Sequence, residues 1–338
     1  MDKYRMPAEW EQHEATWLSW PKDPETFPDQ ILPKVEKIYI EMIKALHEKE
    51  KVHVLVNDEK TQIKVQKLLD EAGVKNNVII HKIKTVDVWM RDYGPIFVKN
   101  NSKIKMTKWI FNAWGGKYEQ LMHDNSVVDQ MIPLLGDIEV TKPGIILEGG
   151  SIEVNGNGTL LTTEQCLLNQ NRNKHLNKEQ IEDYLKQHLG VSHIIWLKEG
   201  IAGDDTDGHI DDIARFVGPN TILCATEQTK SDDNHQILNH NLETLKNAKN
   251  EKGEPFEVKE LPMPGRVDSP YGRLPASYAN FYIGNGVVLL PTFNHKNDQK
   301  AISILEENFP NRKVVPIYCE PLVWGLGAIH CVTQQQPI

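Results

Sequence analysis

The chain has 338 residues, with 38 Lys and Arg against 47 Asp and Glu, a formal net charge of −9. Apolar residues make up 39% and charged residues 25%, which excludes disorder and supplies a sizeable core. The acidic balance speaks against a general nucleic-acid binder, and no apolar run approaches the ~20 residues of a membrane span.

In chain order, residues 1–11 carry no apolar signal region, so a cytoplasmic protein is expected. Val35, Ile38, Tyr39, Met42, Ile43 and Leu46 share one face of a predicted helix. A strand is predicted over 78–81, then a polar loop, a second strand and a turn at Asn100-Asn-Ser102. A helix over 124–135 stops at Gly136, before a strand at 138–140 and a turn at Asn155-Gly-Asn-Gly158. The next helix, 177–189, has a cap candidate in Asn177, Gln180 at the capping-box position and a stop at Gly190. A strand follows at 194–197, then a turn at Gly218-Pro-Asn220. A helix over 232–249 precedes a strand at 256–258 and a turn at Gly284-Asn-Gly286. A last helix, 297–309, stops at Pro310 before a strand at 314–317.

The five strands that follow helical segments start at intervals of roughly sixty residues. Asn and Gly turns between apolar strands tolerate positive φ and signal hairpins. The chain therefore reads as helix–strand–loop–strand–turn–strand, repeated about five times. The fifth copy runs out just after Cys331, and a strand near 15–20 would supply its missing partner and close a ring. No linker interrupts the pattern, so one domain over 1–338 is expected.

The loops of these repeats hold the reactive side chains, as loops on a rigid scaffold commonly do. They read Trp89-Met-Arg-Asp-Tyr-Gly-Pro95, Leu147-Glu-Gly-Gly-Ser-Ile-Glu153, Gly203-Asp-Asp-Thr-Asp-Gly-His-Ile-Asp-Asp212, Pro275-Ala-Ser-Tyr-Ala-Asn280 and Trp324-Gly-Leu-Gly-Ala-Ile-His-Cys-Val-Thr333. The third does not fit an EF-hand: with Gly208 as the central glycine, position twelve is Ala214. His209 has no second His at zinc-protease spacing. No metal is therefore expected. Among four cysteines without a C-x-x-C pair, Cys331 follows a glycine-containing loop and fits a thiolate nucleophile. The adjacent His330 would point to the opposite face of a strand, which leaves His209 as the acid/base. His209 and Asp211, two apart, would share one face of an extended segment. A nucleophile, an acid/base and paired carboxylates suit a guanidinium, which is planar, cationic and matched bidentately by carboxylates.

These segments resemble the agmatine deiminase branch of the guanidino-group-modifying (pentein) superfamily. The resemblance is carried by Pro7-Ala-Glu-Trp-Glu-x-His13, Trp17-x-x-Trp-Pro21, Trp89-x-Arg-Asp-x-Gly-Pro95, Phe111-Asn-Ala-Trp-Gly-Gly116, Leu147-Glu-Gly-Gly-Ser151, Asp205-Thr-Asp-Gly-His-x-Asp211 and Gly327-x-Ile-His-Cys-x-Thr-Gln-Gln-Gln-Pro337. They span essentially the whole chain in order. The resemblance implies an α/β fold, a five-bladed pseudo-symmetric propeller of ββαβ-type repeats with its site on the axis. It implies a hydrolase that converts agmatine to N-carbamoylputrescine and ammonia, in polyamine metabolism, with no cofactor. Cys331 aligns with the nucleophile, His209 with the acid/base, and Asp92 and Asp211 with the guanidinium-binding carboxylates. Glu148 and Trp89 align with residues lining the substrate site. The partner implied is a small cationic guanidino substrate, not nucleic acid or a membrane, and a homo-oligomer is compatible with it.

One stretch departs from the family pattern. Leu326 and Ala328 stand where the last loop usually carries glycine and asparagine. That departure bears on the substrate's tail. Arginine, peptidyl-arginine or another guanidino compound, or amidino transfer to an amine, are the alternatives within the superfamily. A catalytically silent binding propeller is the alternative outside it.

Overall fold

Four tight hairpins set the architecture. Each joins two short antiparallel strands, and a helical segment then returns the chain to add a third strand parallel to the second. The units are β4 (Ile96–Lys99), β5 (Ile104–Thr107) and β6 (Glu139–Thr141); β7 (Glu153–Val154), β8 (Thr159–Thr163) and β9 (His193–Leu197); β10 (Ala214–Gly218), β11 (Thr221–Thr226) and β12 (Glu257–Pro262); and β15 (Tyr282–Gly284), β16 (Val287–Thr292) and β17 (Lys313–Tyr318). A minor hairpin, β13 (Asp268–Ser269) and β14 (Gly272–Arg273), stands apart. The computed structural model describes residues 3–101 and 103–338; Met1, Asp2 and Ser102, the last in the turn expected at 100–102, lie outside the described residues.

The fifth unit is assembled from both ends of the chain. β18 (Gln334–Pro337) pairs antiparallel with β1 (His13–Ser19), which pairs parallel with β2 (Lys51–Val56), itself parallel to β3 (Val78–Lys82). The partner expected near residues 15–20 is thus β1. It is fixed by backbone bonds and by Trp17, whose indole N–H donates to Gln336 Oε1 at 2.9 Å. The result is a mixed α/β fold in which every three-stranded unit repeats one connectivity.

The helices follow their sequence signals where nothing interrupts them. Lys178–Leu189 has a complete capping box, with Asn177 accepting from Gln180 N and Gln180 accepting from Asn177 N, and it ends on Gly190 in the left-handed region. Leu32–Leu46 buries Val35, Ile38, Tyr39, Met42, Ile43 and Leu46, as its spacing requires. Truncating one such side chain, Met42→Ala, costs about 2–5 kcal/mol in a packed core. The helix expected over 124–135 is instead three short pieces: 3-10 turns at Glu119–Ser126 and Ile132–Leu135 flank an α-helix of five residues, Val127–Met131. Pro133 explains the second break, because it has no N–H and its ring collides with the preceding turn.

The largest core cluster joins that first helix to β1, β2, β16 and the segment before β18, and it includes Trp89 and Cys331. No helix among the described residues is long and apolar enough to cross a membrane. The segments between the third strand of one unit and the first of the next carry the residues singled out above.

Candidate active site

Five of these segments meet at one point, and a glycine marks it. A Cβ placed on Gly150 would stand 2.6 Å from His209 Nδ1, 2.8 Å from Asp92 Oδ1 and 3.1 Å from Asp211 Oδ2. Only glycine lets three side chains from two other loops close on one backbone atom. Gly150 N–H also donates to Asp92 Oδ1 at 3.1 Å, and Trp114 Nε1 donates to Asp92 Oδ2 at 2.9 Å. Asp92 sits on the one-turn helix Met90–Tyr93 and is 4% exposed.

Cys331 lies in a turn, not in the strand expected for it, and is held by Asn280. Asn280 Nδ2 donates to Cys331 Sγ at 3.2 Å and to Asp212 Oδ1 at 3.0 Å. Asn280 Oδ1 accepts from the backbone N–H of His330 and of Cys331. The thiol points to Asp211 Oδ2 at 3.9 Å. A Cβ on Gly327 would reach 2.4 Å from Trp89 and 3.0 Å from Cys331 Cβ, so the glycine lets the indole pack against the loop of Cys331.

His209 and Asp211 do not lie on an extended strand. Ile210–Asp212 is a 3-10 turn, and it is the convergence on Gly150, not strand alternation, that aims both inward. His209 Nδ1 is 3.6 Å from Asp92 Oδ1. His330 and the thiol approach the same oxygen, Asp211 Oδ2, and the opposite faces expected of strand neighbours do not apply in a turn. His330 Nδ1 bonds Asp211 Oδ2 and its Nε2 bonds Glu9 Oε2, both at 2.7 Å. Glu9 is clasped by Arg215 at 2.9 Å and Arg91 at 3.4 Å. Both arginines are therefore committed behind the site.

Charge states follow from burial and neighbours. Burial pushes Asp92 up to about 6, and Asp211 and Glu148 add like-charge repulsion against the pull of His209. Burial works against charge on His209, yet Asp92, Cys166 and Glu148 together raise its pKa well above the usual imidazole value. Burial also resists charge on Asp211, but His330 and His209 hold it below the usual carboxylate value. The Cys331 thiol is pushed well up, first by burial and then by Asp211, Asp212 and Asp92. One oxygen of Asp211, Oδ1, is buried without any hydrogen-bond partner. A buried carboxylate oxygen left unpaired costs about 1–3 kcal/mol or more, which a cationic ligand would recover.

Above Asp92 and Cys331 opens a cavity of about 450 Å³. Trp89, Trp114, Tyr118, Trp324 and Leu326 supply aromatic and apolar walls, while Asp23, Glu25, Asp87, Asp92 and Asp205 supply carboxylates. Among the described residues no Lys or Arg lines it. Trp89 is anchored by its indole N–H to Asp87 Oδ2 at 2.8 Å. Leu326 has φ +73 and Trp114 φ +52, left-handed conformations worth about 1–3 kcal/mol of strain each. Glu148, expected on the wall, is not among the cavity-lining residues. It is fully buried beside His209 and Cys166, with Arg172 Nε donating to its Oε1 at 2.6 Å.

The acids of residues 204–207 are used locally. Asp204 accepts from Thr206 N, Thr206 Oγ1, Gly208 N and His209 N. Asp207 pairs with Lys117 and Arg172, and Asp205 with Lys117 and the Tyr118 hydroxyl. They shape the loop that delivers His209, in place of a calcium cage. Sequence reasoning missed the parts played by Asn280, Trp114, Gly150, Glu9 and Cys166. Asn280 and Trp114 stand in segments with a readable signal, an Asn ending a loop and an Asn-Ala-Trp-Gly-Gly turn. Cys166 had none beyond its residue type.

The chain matches the Porphyromonas-type peptidyl-arginine deiminase family over residues 5–337. It is 36% identical over 359 residues to the agmatine deiminase of Ectopseudomonas mendocina, covering 99% of this chain and 96% of the relative. A solved C. jejuni agmatine deiminase with substrate bound superposes at TM-score 0.88 with 34% identity, covering 99% of this chain and 96% of that one. The agmatine deiminase of Enterococcus faecalis does so at TM-score 0.91 with 32% identity, with 99% and 96% covered.

Proposed function

We propose that this chain, which belongs to the Porphyromonas-type peptidyl-arginine deiminase family and within it to the agmatine deiminases, hydrolyses agmatine to N-carbamoylputrescine and ammonia. The observation that carries the substrate choice is the cavity lining. It offers Asp23, Glu25, Asp87 and Asp92, beside an Asp205 already paired with Lys117, and no Lys or Arg among the described residues that line it. Agmatine is a dication, whereas arginine adds an α-carboxylate that would find no partner there. A confined negative field attracts the first and repels the second. The five units are read as the blades of one propeller, a single catalytic domain over 1–338, working in the cytoplasm without a cofactor.

In this mechanism Asp92 and Asp211 take the guanidinium between them, and its N–H groups pair with the unpartnered Asp211 Oδ1. The arriving cation offsets the repulsion that keeps Cys331 protonated, and the thiol releases its proton to solvent, since His209 already carries one. Sγ attacks the guanidinium carbon and a C–S bond forms. His209, protonated in the empty site, gives its proton to the departing nitrogen, the C–N bond breaks, and ammonia leaves. The remaining amidino-thioether is attacked by water, whose proton returns to His209. The C–S bond then breaks, and the ureido product leaves Cys331 free. Covalent catalysis divides one hard displacement into two easier ones. Trp89 packs against the reacting loop, and Glu148 with Arg172 backs His209.

Measuring kcat/KM for agmatine, arginine and a blocked arginine peptide tests the reading. Agmatine is expected to lead. Arginine or the peptide outperforming it would overturn the substrate and leave deimination standing. Leu326, which lines the cavity at a left-handed position, is where a different tail would be accommodated.

A further inference from the structure

Behind His209, away from the cavity, lies a second thiol that the reaction does not use. Cys166 sits on the one-turn helix Glu164–Leu167, whose cap residue Thr163 accepts from Cys166 N at 3.2 Å. The same hydroxyl donates to Gly208 O at 2.6 Å, immediately before His209. One side chain thus ties the loops of Cys166 and His209 together. Glu148 enters from the third side, held through Oε1 by Arg172. Its other oxygen, Oε2, has no hydrogen-bond partner, and neither ring nitrogen of His209 makes a hydrogen bond. Glu148 and Cys166 are 0% exposed and His209 is 1% exposed. One ligand atom from each lies within 4.8 Å of the others.

We propose that Glu148, Cys166 and His209 form a three-ligand site for a thiophilic divalent cation of the Zn²⁺ class, built around the ring of His209. A tetrahedron with Zn–S of about 2.3 Å and Zn–N and Zn–O of about 2.0–2.2 Å has edges of roughly 3.3–3.7 Å, within small side-chain rotations of the present spacing. Thiolate, imidazole and carboxylate together select zinc over calcium or magnesium, which want oxygen alone. Binding forms one S–Zn, one N–Zn and one O–Zn bond, with no change of oxidation state. It expels the Cys166 thiol proton and the ring proton of His209 to solvent. A ring nitrogen bound to the ion cannot carry a proton to the departing ammonia. Zinc is then an inhibitor that works from behind the acid/base; this consequence, unlike the binding itself, rests on the acid/base reading of His209.

Calorimetric titration with Zn²⁺ and absorption titration with Co²⁺ test it on the full chain, in the wild type, Cys331→Ala and Cys166→Ser. One equivalent is expected in the wild type and in Cys331→Ala, with a thiolate-to-cobalt charge-transfer band in both. Cys166→Ser is expected to lose the band and more than about tenfold in affinity. A band lost in Cys331→Ala and kept in Cys166→Ser overturns the proposal. So does an affinity that Cys166→Ser leaves unchanged. Should Cys166→Ser fail to fold, anomalous scattering at the zinc edge in wild-type crystals decides: an ion among the three side chains supports the site, and its absence there refutes it. Agmatine turnover is followed separately. No turnover even without zinc would refute the substrate reading, whereas turnover untouched by a bound ion would refute the inhibition.

Discussion

Two acidic regions lie side by side in this molecule and behave in opposite ways. In the turn at residues 204–207 every carboxylate has a partner within the loop or next to it, and Asp204 alone accepts four hydrogen bonds. On the floor of the site, around Gly150, Asp92 is pushed up to about 6 by burial and like charge, and Asp211, which is not among the residues lining the cavity, keeps one buried oxygen without a partner. The same residue type is satisfied in one place and left wanting a cation in the other. The turn holds a shape; the floor of the site keeps a buried carboxylate oxygen unpaired.

The largest expected effect separates that charge from the chemistry it serves. Cys331→Ala should abolish turnover while still binding agmatine, since the floor keeps Asp92 and Asp211; equilibrium binding and turnover measured on one preparation check this. Full activity in the alanine variant would end the covalent mechanism. Next come Asp92→Asn and Asp211→Asn. Each turns an acceptor edge partly into N–H donors that face the guanidinium's own N–H groups. Losing a charge-assisted bond costs about 1.5–3 kcal/mol, or roughly tenfold to a hundredfold in kcat/KM, before misalignment is added. Binding, unlike in Cys331→Ala, should fall with turnover.

The pH profile should show the same asymmetry. Asp92 is pushed up to about 6, so it takes a proton as the pH falls through that value and its charge on the floor is lost. The kcat/KM for agmatine should therefore drop below about pH 6, where Asp87, which also lines the cavity and is pushed up to about 6, titrates too, and Asp92→Asn should weaken that limb. The turn carries the opposite prediction. Asp204→Ala strips four donors of their acceptor and should lower stability by about 1–2 kcal/mol, read as a fall in Tm, with less loss of activity than either floor variant. The smallest effect is none: in enzyme freed of zinc, exhaustive chelation should leave turnover unchanged, because the acids of the turn are paired with protein groups. A chelator-sensitive activity restored by calcium would merge the two regions again.

The sequence by itself determined the repeated helix–strand–hairpin unit, the ends of most helices and the loops that bear Cys331, His209, Asp92 and Asp211. Those features are local. An Asn-Gly turn, the Asn177 capping box or the Gly190 stop is decided by neighbours a few residues away, and so is legible in order along the chain. In the segment expected as one helix over 124–135, Pro133 accounts for the second of two breaks. What only the tertiary structure decided depends on residues far apart in sequence arriving at the same place. Asn280 reaches the Cys331 thiol across 51 positions, Glu9 reaches His330 across 321, and Gly150 admits three side chains from two other loops. Glu148 moved from the expected cavity wall to the back of His209, where Cys166 also lies. The charge states belong to this second class. A carboxylate or thiol has its ordinary pKa in the chain, and only burial and the fields of its eventual neighbours move it: Asp92 and the structural Asp124 are both pushed up to about 6, and burial raises the Cys319 thiol as it does that of Cys331.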